Sequence, residues 1–164
     1  MQPRKNFMLR GTYRKLVAEH ATVENELKVV IPREIKDAYS GGGEWHDNPA
    51  YDSALEKQKN TASRLAGLAQ LLMFPVFIED LGINGDEVRV GTRVTLSYPD
   101  GKIVSYDILG PADVRYDNTA MSCSSPLAQQ LMGHKADDEV DCKLPRGKEK
   151  ILIIKVEKIN FADS

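Results

Sequence analysis

The chain has 164 residues, a formal net charge of −2, 41% hydrophobic and 28% charged residues. This leaves room for one domain or two small ones of ordinary composition, and excludes any gross electrostatic attraction to nucleic acid or a membrane surface. No stretch of 18 apolar residues spans a bilayer, and Met1–Phe7 has no apolar signal core, so the sequence reads as cytoplasmic with no membrane partner. Cys123 and Cys142 lack CxxC spacing and a neighbouring His, which predicts reduced, partly buried thiols.

Residues 1–11 read as a loose arm, with Thr12 capping the helix that follows. Tyr13 to Tyr39 predicts one long helix, with Leu16, Val23, Leu27, Val30, Ile31, Ile35 and Ala38 mostly three or four apart along one seam. Pro32 lies inside this pattern and predicts a kink or local break, because it lacks a donor and clashes with the preceding turn. Ser40 to Asp47 forms a tip loop in which Gly41, Gly42 and Gly43 stop the helix. Asn48 is a good N-cap and Pro49 suits the first helical position of a second helix that ends near Met73. Its apolar seam, Tyr51, Leu55, Gln58, Ala62, Leu65, Ala69 and Leu72, alternates steps of four and three, the pattern of a two-helix coiled coil. Arms of roughly 25 residues span about 40 Å, a rod rather than a globule. Phe74-Pro75 ends the rod and residues 76–87 read as a linker.

The remainder reads as mostly β. Val88–Ser97 is a candidate strand with Val88, Val90, Val94 and Leu96 inward, Tyr98–Gly101 a turn, and Lys102–Leu109 the returning strand. Met121–Cys123 reads as a short strand. Ser125-Pro126 opens a short helix over Leu127–Met132, closed by Gly133. Glu139–Leu144 and Ile151–Ile159 are the last strands, around a turn at Pro145–Lys148. The fold class is therefore α+β: an antiparallel coiled-coil hairpin over residues 1–76, then a sheet-plus-helix domain over 77–164.

The chemistry concentrates at the hairpin tip. Glu44 and Asp47 are hard oxygen donors on a Gly-rich loop and suit Mg²⁺, which takes one or two carboxylates and fills its remaining positions from water or phosphate. The competing reading is a pair of solvated acids, with Asp47 beside the positive end of the second helix. His46 suits a solvated loop position. Trp45 has little local core to enter, which leaves an interaction role or packing on the arm. Tyr51 lies on the seam with its hydroxyl within reach of the tip. Arg10, Arg14, Lys15, Lys28, Arg33 and Lys36 form either a basic stripe or an ordinary solvated face. No nucleotide loop, zinc-hydrolase or nucleophile-elbow motif is present.

Four stretches in order resemble the Gre family of bacterial transcript-cleavage factors. They are Met8-Leu9-Arg10-Gly11 with Lys15-Leu16; Gly43-Glu44-Trp45-His46-Asp47-Asn48-Pro49-Ala50-Tyr51; Val88 to Leu96; and Ser124-Ser125-Pro126-Leu127-Ala128 with Leu131-Met132-Gly133-His134-Lys135. The resemblance implies a C-terminal domain of FKBP-like topology and bacterial RNA polymerase as partner. The coiled coil would enter the secondary channel, where Glu44 and Asp47 help hold Mg²⁺ for the polymerase's own cleavage of backtracked RNA. Nascent RNA and DNA are then met only inside the elongation complex, and the chain is no stand-alone enzyme. The resemblance makes Asn48 and Tyr51 tip-support positions, which Trp45 and His46 of the same loop join, and Ser124, Ser125 and Pro126 polymerase-binding positions. The chain departs from the family pattern in the order of its two acids, in His46 and Leu55 where the family has Lys and Arg, and in Ser124 where it has an acid. Those exchanges carry a second expectation, a Gre-like regulator that occupies the channel without stimulating cleavage, or inhibits it.

Overall fold

The computed structural model describes residues 5–40 and 48–161. Glu44, Trp45, His46 and Asp47 lie outside the described residues. Backbone packing divides the chain into two units, Arg14–Met73 on one side and Met1–Tyr13 with Phe74–Ser164 on the other. The N-terminal segment thus groups with the β unit rather than with the hairpin, unlike a single division at 76/77. The cause is backbone pairing: strand β1 (Asn6–Met8) runs parallel to strand β2 (Pro75–Phe77). Residues 6–8, expected as part of a loose arm, and 75–77, expected as rod end and linker, hold each other in place.

Helix α1 (Arg10–Asn25) begins before Thr12, so Thr12 is an interior, buried residue and not a cap. A π-helical turn, Glu26–Val30, joins it to helix α2 (Ile31–Ser40), and the Ile31 N–H donates to the Glu26 carbonyl five residues back. The irregularity expected at Pro32 falls one turn earlier, where a wider turn inserts an extra residue ahead of the proline. That residue resets the seam. Leu16, Val23 and Ile31 are buried and Leu27, Ile35 and Ala38 half-buried, while Val30, which an unbroken pattern places inward, is exposed.

Helix α3 (Pro49–Leu72) carries its buried stripe on Ala54, Thr61 and Leu68, seven residues apart, with Tyr51, Gln58, Leu65 and Leu72 half-buried between them. The expected alternates Leu55 and Ala62 are exposed, and Ala69 is only half-buried. The helical period does not distinguish two neighbouring rows that share every other member. The small Ala54 and Thr61 fit a seam whose other side supplies Val23 and Ile31. Ion pairs between the arms fix their register: Lys57 Nζ lies 2.9 Å from Glu34 and 3.5 Å from Glu26, and Arg64 lies 2.7 Å from Glu19.

The other unit is built on a five-stranded sheet in the order β5-β4-β3-β7-β6. Its strands are β3 (Thr92–Ser97), β4 (Ile103–Leu109), β5 (Ala120–Ser122), β6 (Glu139–Leu144) and β7 (Gly147–Lys158). All neighbours are antiparallel except β4 and β5. Val88–Gly91, expected to open the first strand, instead turns into it: Gly91 has φ +91°, and Val88 exchanges backbone hydrogen bonds with Gly133 and His134. Helix α4 (Pro126–Leu131) packs on the sheet, and Val94, Leu96, Ile108, Ala128, Leu131, Ile151 and Ile153 form the core with both cysteines. Each fully buried aliphatic chain here contributes ~1.5–3 kcal/mol. The Gln130 amide covers the exposed edge of β6 as a short strand would, accepting from the Lys143 N–H at 2.7 Å and donating to its carbonyl at 3.2 Å. This occupies the two edge groups of Lys143, which would otherwise be open to pairing with another chain. No helix among the described residues is long and apolar enough to cross a membrane.

Candidate functional site

Two regions hold the described members of the site expected from sequence, one in each unit. At the hairpin tip, Asn48 ties together the two helix ends that flank the loop. Its Oδ1 accepts from the Tyr51 N–H at 3.2 Å, and its Nδ2 donates to the Ala38 carbonyl at 2.9 Å. One side chain thereby caps α3 and satisfies a terminal carbonyl of α2, groups that helix ends leave without intrahelical partners. Ser40 Oγ donates to the Lys36 carbonyl at 2.8 Å and closes the last turn of α2. The Tyr51 ring meets Tyr39, with centroids 6.5 Å apart and planes tilted by 54°. Tyr39, which the sequence reading passed over, is 73% exposed. Its signal was present in the sequence as an aromatic residue at the last turn before a glycine run. The loop these contacts bracket carries Glu44 and Asp47. Among the described residues no group of three or more His, Cys, Asp or Glu side chains could hold a metal ion.

In the β unit, Ser125 Oγ accepts from the Ala128 N–H at 3.2 Å and Pro126 takes the first position of α4, so these two residues build the helix start. Ser124 remains exposed and lines an open cleft of about 800 Å³ with Phe7, Val90, Cys123, Gln129 and Met132. Gln129 Nε2 donates to the Cys123 carbonyl at 2.5 Å and holds the segment against the helix. Burial pushes the Cys123 and Cys142 thiols above their ordinary value, so both favour the unreactive protonated form. His134 Nδ1 lies 3.3 Å from Asp138, beyond the left-handed Gly133 that ends the helix.

A third cluster carried no sequence signal. The buried Asp113 carboxylate accepts from the Leu9 N–H at 3.0 Å and the Gly110 N–H at 2.9 Å, and also receives the Thr12 hydroxyl. Glu79 accepts from the Arg10 N–H at 2.7 Å. Two carboxylates far away in sequence thus satisfy the first donors of α1, where negative charge is favoured. Arg10 pairs with Asp80 at 2.5 Å and lies 4.4 Å over the Phe77 ring, and Lys28 pairs with Glu24, so two cations of the supposed stripe are otherwise engaged. Burial raises the Asp113 carboxyl above the usual carboxylate value, against the lowering effect of its hydrogen bonds. Gly110 is required here: a Cβ at that position would overlap the Phe7 backbone carbonyl.

Residues 83–158 match the family model described as Transcription elongation factor, GreA/GreB, C-term. Transcription elongation factor GreA of Sphingopyxis alaskensis is 31% identical over 152 residues, covering 93% of this chain and 95% of its own. The chain belongs to the GreA/GreB family of transcription elongation factors. GreA of Bacillus licheniformis is 37% identical over 130 residues, 79% of this chain and 81% of its own. Among solved structures, the GreA factor homolog 1 (Gfh1) protein of Thermus thermophilus is similar at 20% identity with a TM-score of 0.43, covering 94% of this chain and 99% of that one. The family resemblance read from four short stretches therefore holds over nearly the whole chain, and the α+β class with an N-terminal helical hairpin holds with it.

Proposed function

We propose that this elongation factor binds bacterial RNA polymerase, inserts its hairpin into the secondary channel, and uses Glu44 and Asp47 to stimulate the polymerase's own cleavage of backtracked RNA. The observation that carries this reading is the Asn48 clamp, which joins the end of α2 to the start of α3, the two helix ends between which the sequence carries the two acids. The 24 residues of α3 alone reach about 36 Å at 1.5 Å per residue, a length suited to delivering a loop through a channel. The donor set fits Mg²⁺ by its chemistry: two carboxylates, with the remaining ligands left to water, phosphate or another protein's acids. Glu44 and Asp47 would hold Mg²⁺, which when bound would supply the positive charge that activates water and steadies phosphoryl oxygens. The contribution of this chain is to place the acids, while the hydrolytic centre, RNA and DNA belong to the elongation complex. In this reading the factor works in the cytoplasm and is not an enzyme by itself. Ser124, Ser125 and Pro126, at the start of α4 beside the open cleft, supply a docking face on the β unit.

The test uses stalled, backtracked elongation complexes with Mg²⁺, following RNA shortening. Cleavage with the natural chain that is lost in Glu44→Ala and Asp47→Ala is the expected result. Cleavage unchanged in both variants would overturn the role of the acid pair. Polymerase binding with no cleavage, or with suppressed cleavage, would replace this reading with that of a channel-occupying regulator, the outcome favoured by the exchanged order of the acids.

A further inference from the structure

The β unit has a second cavity, of about 330 Å³, that the proposed function does not use. Its walls are Tyr98, Lys102 and Tyr106 from the β3–β4 hairpin and Leu144, Pro145 and Arg146 from the β6–β7 hairpin. The cleft beside Ser124 is lined by Val90 and Pro111, which precede β3 and follow β4, so the two openings lie at opposite ends of the sheet. The Tyr98 N–H donates to the Lys102 carbonyl at 2.9 Å, and the Asp100 carboxylate accepts from the Lys102 N–H at 3.0 Å. Burial and a hydrogen bond to the Tyr106 side chain push the Tyr98 phenol up to about 12. Tyr98 therefore keeps its proton and donates it to Tyr106, which leaves the Tyr106 O–H as a donor at the cavity wall.

Lys102 and Arg146 are exposed, and neither makes an ion pair among the described residues, whereas Arg89, Arg93, Lys150 and Lys155 of the same unit each do. Next to the cavity the strand register sets Lys143 directly opposite Lys148. Like charges in that position repel. The acids at this end are Asp100 and the half-buried Glu149, while Asp141 stands opposite Lys150. Lys102, Lys143, Arg146 and Lys148 thus exceed the two nearby carboxylates.

We propose that this cavity binds the phosphate monoester of a small metabolite, with Lys102, Arg146 and the Tyr106 hydroxyl as its donors. Such a group carries nearly two negative charges at neutral pH and several acceptor oxygens. A guanidinium fork matches two of those oxygens, and an ammonium supplies a point charge beside them. The volume is at the small end of ligand pockets, which suits a nucleotide or a sugar phosphate. Bound phosphate joins the two turns and offsets the repulsion between Lys143 and Lys148. The inference goes beyond the proposed function and does not depend on it.

The experiment is an NMR titration of the full chain, with ring-labelled tyrosine and labelled amides, against adenosine 5′-monophosphate at constant ionic strength. Adenosine and potassium chloride are the controls. Expected is a saturable shift of the Tyr98 and Tyr106 rings and the Gly101 and Gly147 amides with the monophosphate, and none with either control. Lys102→Gln and Arg146→Gln should each weaken binding roughly tenfold, as loss of a charged hydrogen bond does. Tyr106→Phe, which leaves both cations in place, should weaken it severalfold. Ribose 5-phosphate in a parallel titration separates the sources: equal affinity assigns the site to sugar phosphates, and weaker binding than the monophosphate assigns it to nucleotides. Shifts that do not saturate, equal shifts with adenosine or chloride, or unchanged affinity in all three variants would each overturn the proposal.

Discussion

Asp113→Asn changes one buried oxygen to an NH₂ group with almost no change in shape. The carboxylate receives two backbone donors, Leu9 N–H on one oxygen and Gly110 N–H on the other. The amide can accept only one of them and turns its own donors toward the other. A buried donor left without an acceptor costs ~1–3 kcal/mol. Removal of the buried charge returns part of this, because burial already disfavours the ionised form. A net loss of ~1–2 kcal/mol is expected from the substitution. The loss is read from urea unfolding of the full chain, together with faster amide exchange at Leu9 and Gly110. An unchanged midpoint with both amides still protected would refute the reasoning. The pH dependence has a definite sign. The folded carboxyl titrates above its unfolded value, so the folded state binds the proton more readily. Ionised Asp113 therefore costs stability above its raised folded pKa, and this cost disappears as pH falls toward the unfolded value. The gap between the natural chain and Asp113→Asn should widen on acidification through that window.

The position of the α3 seam separates two neighbouring residues: Ala54→Leu overpacks a buried site and should cost ~1–3 kcal/mol. Leu55→Ala, at an exposed site, should change stability by no more than ~0.5 kcal/mol, and urea unfolding of both variants distinguishes this register from the reverse. Deleting Val30 removes the residue accommodated by the π turn, so a regular helix should keep Ile31 and Ile35 on the seam. The melting temperature should then move by less than about 5 °C, and circular dichroism showing a lost hairpin would contradict that account. Asn48→Ala should cost the start of α3 ~1 kcal/mol and speed amide exchange at Tyr51 without affecting Leu65 or Leu68.

Local chemistry made much of this protein readable in advance. The Gly run followed by Asn48-Pro49 marked a helix stop and start, and the structure uses Asn48 as the cap. Ser125-Pro126 and Gly133 marked the bounds of α4 by the same kind of short-range bonding. Alternation between Val94 and Leu96 and a turn ending at Gly101 located the β3–β4 hairpin. Composition and spacing also suggested an acid pair, Glu44 and Asp47, on a loop that lies outside the described residues.

Tertiary structure decided what depends on partners distant in sequence. A three-residue strand such as β1 has too few groups to reveal itself, and it exists because β2 is there to pair with it. Thr12 looked like a cap because nothing nearby in sequence shows that Glu79 and Asp113 already occupy that role. The seam of α3 was ambiguous by one residue, because helical periodicity defines a stripe only to within a neighbouring row. The facing arm and its ion pairs then select Ala54, Thr61 and Leu68. Tyr39 appeared as one more residue on a long helix until the antiparallel arm brought Tyr51 beside it. Caps and turns are encoded within a few residues, where the chain itself fixes the distance between partners. Pairing, register and the meeting of side chains across the hairpin arise only when packing brings separate segments together.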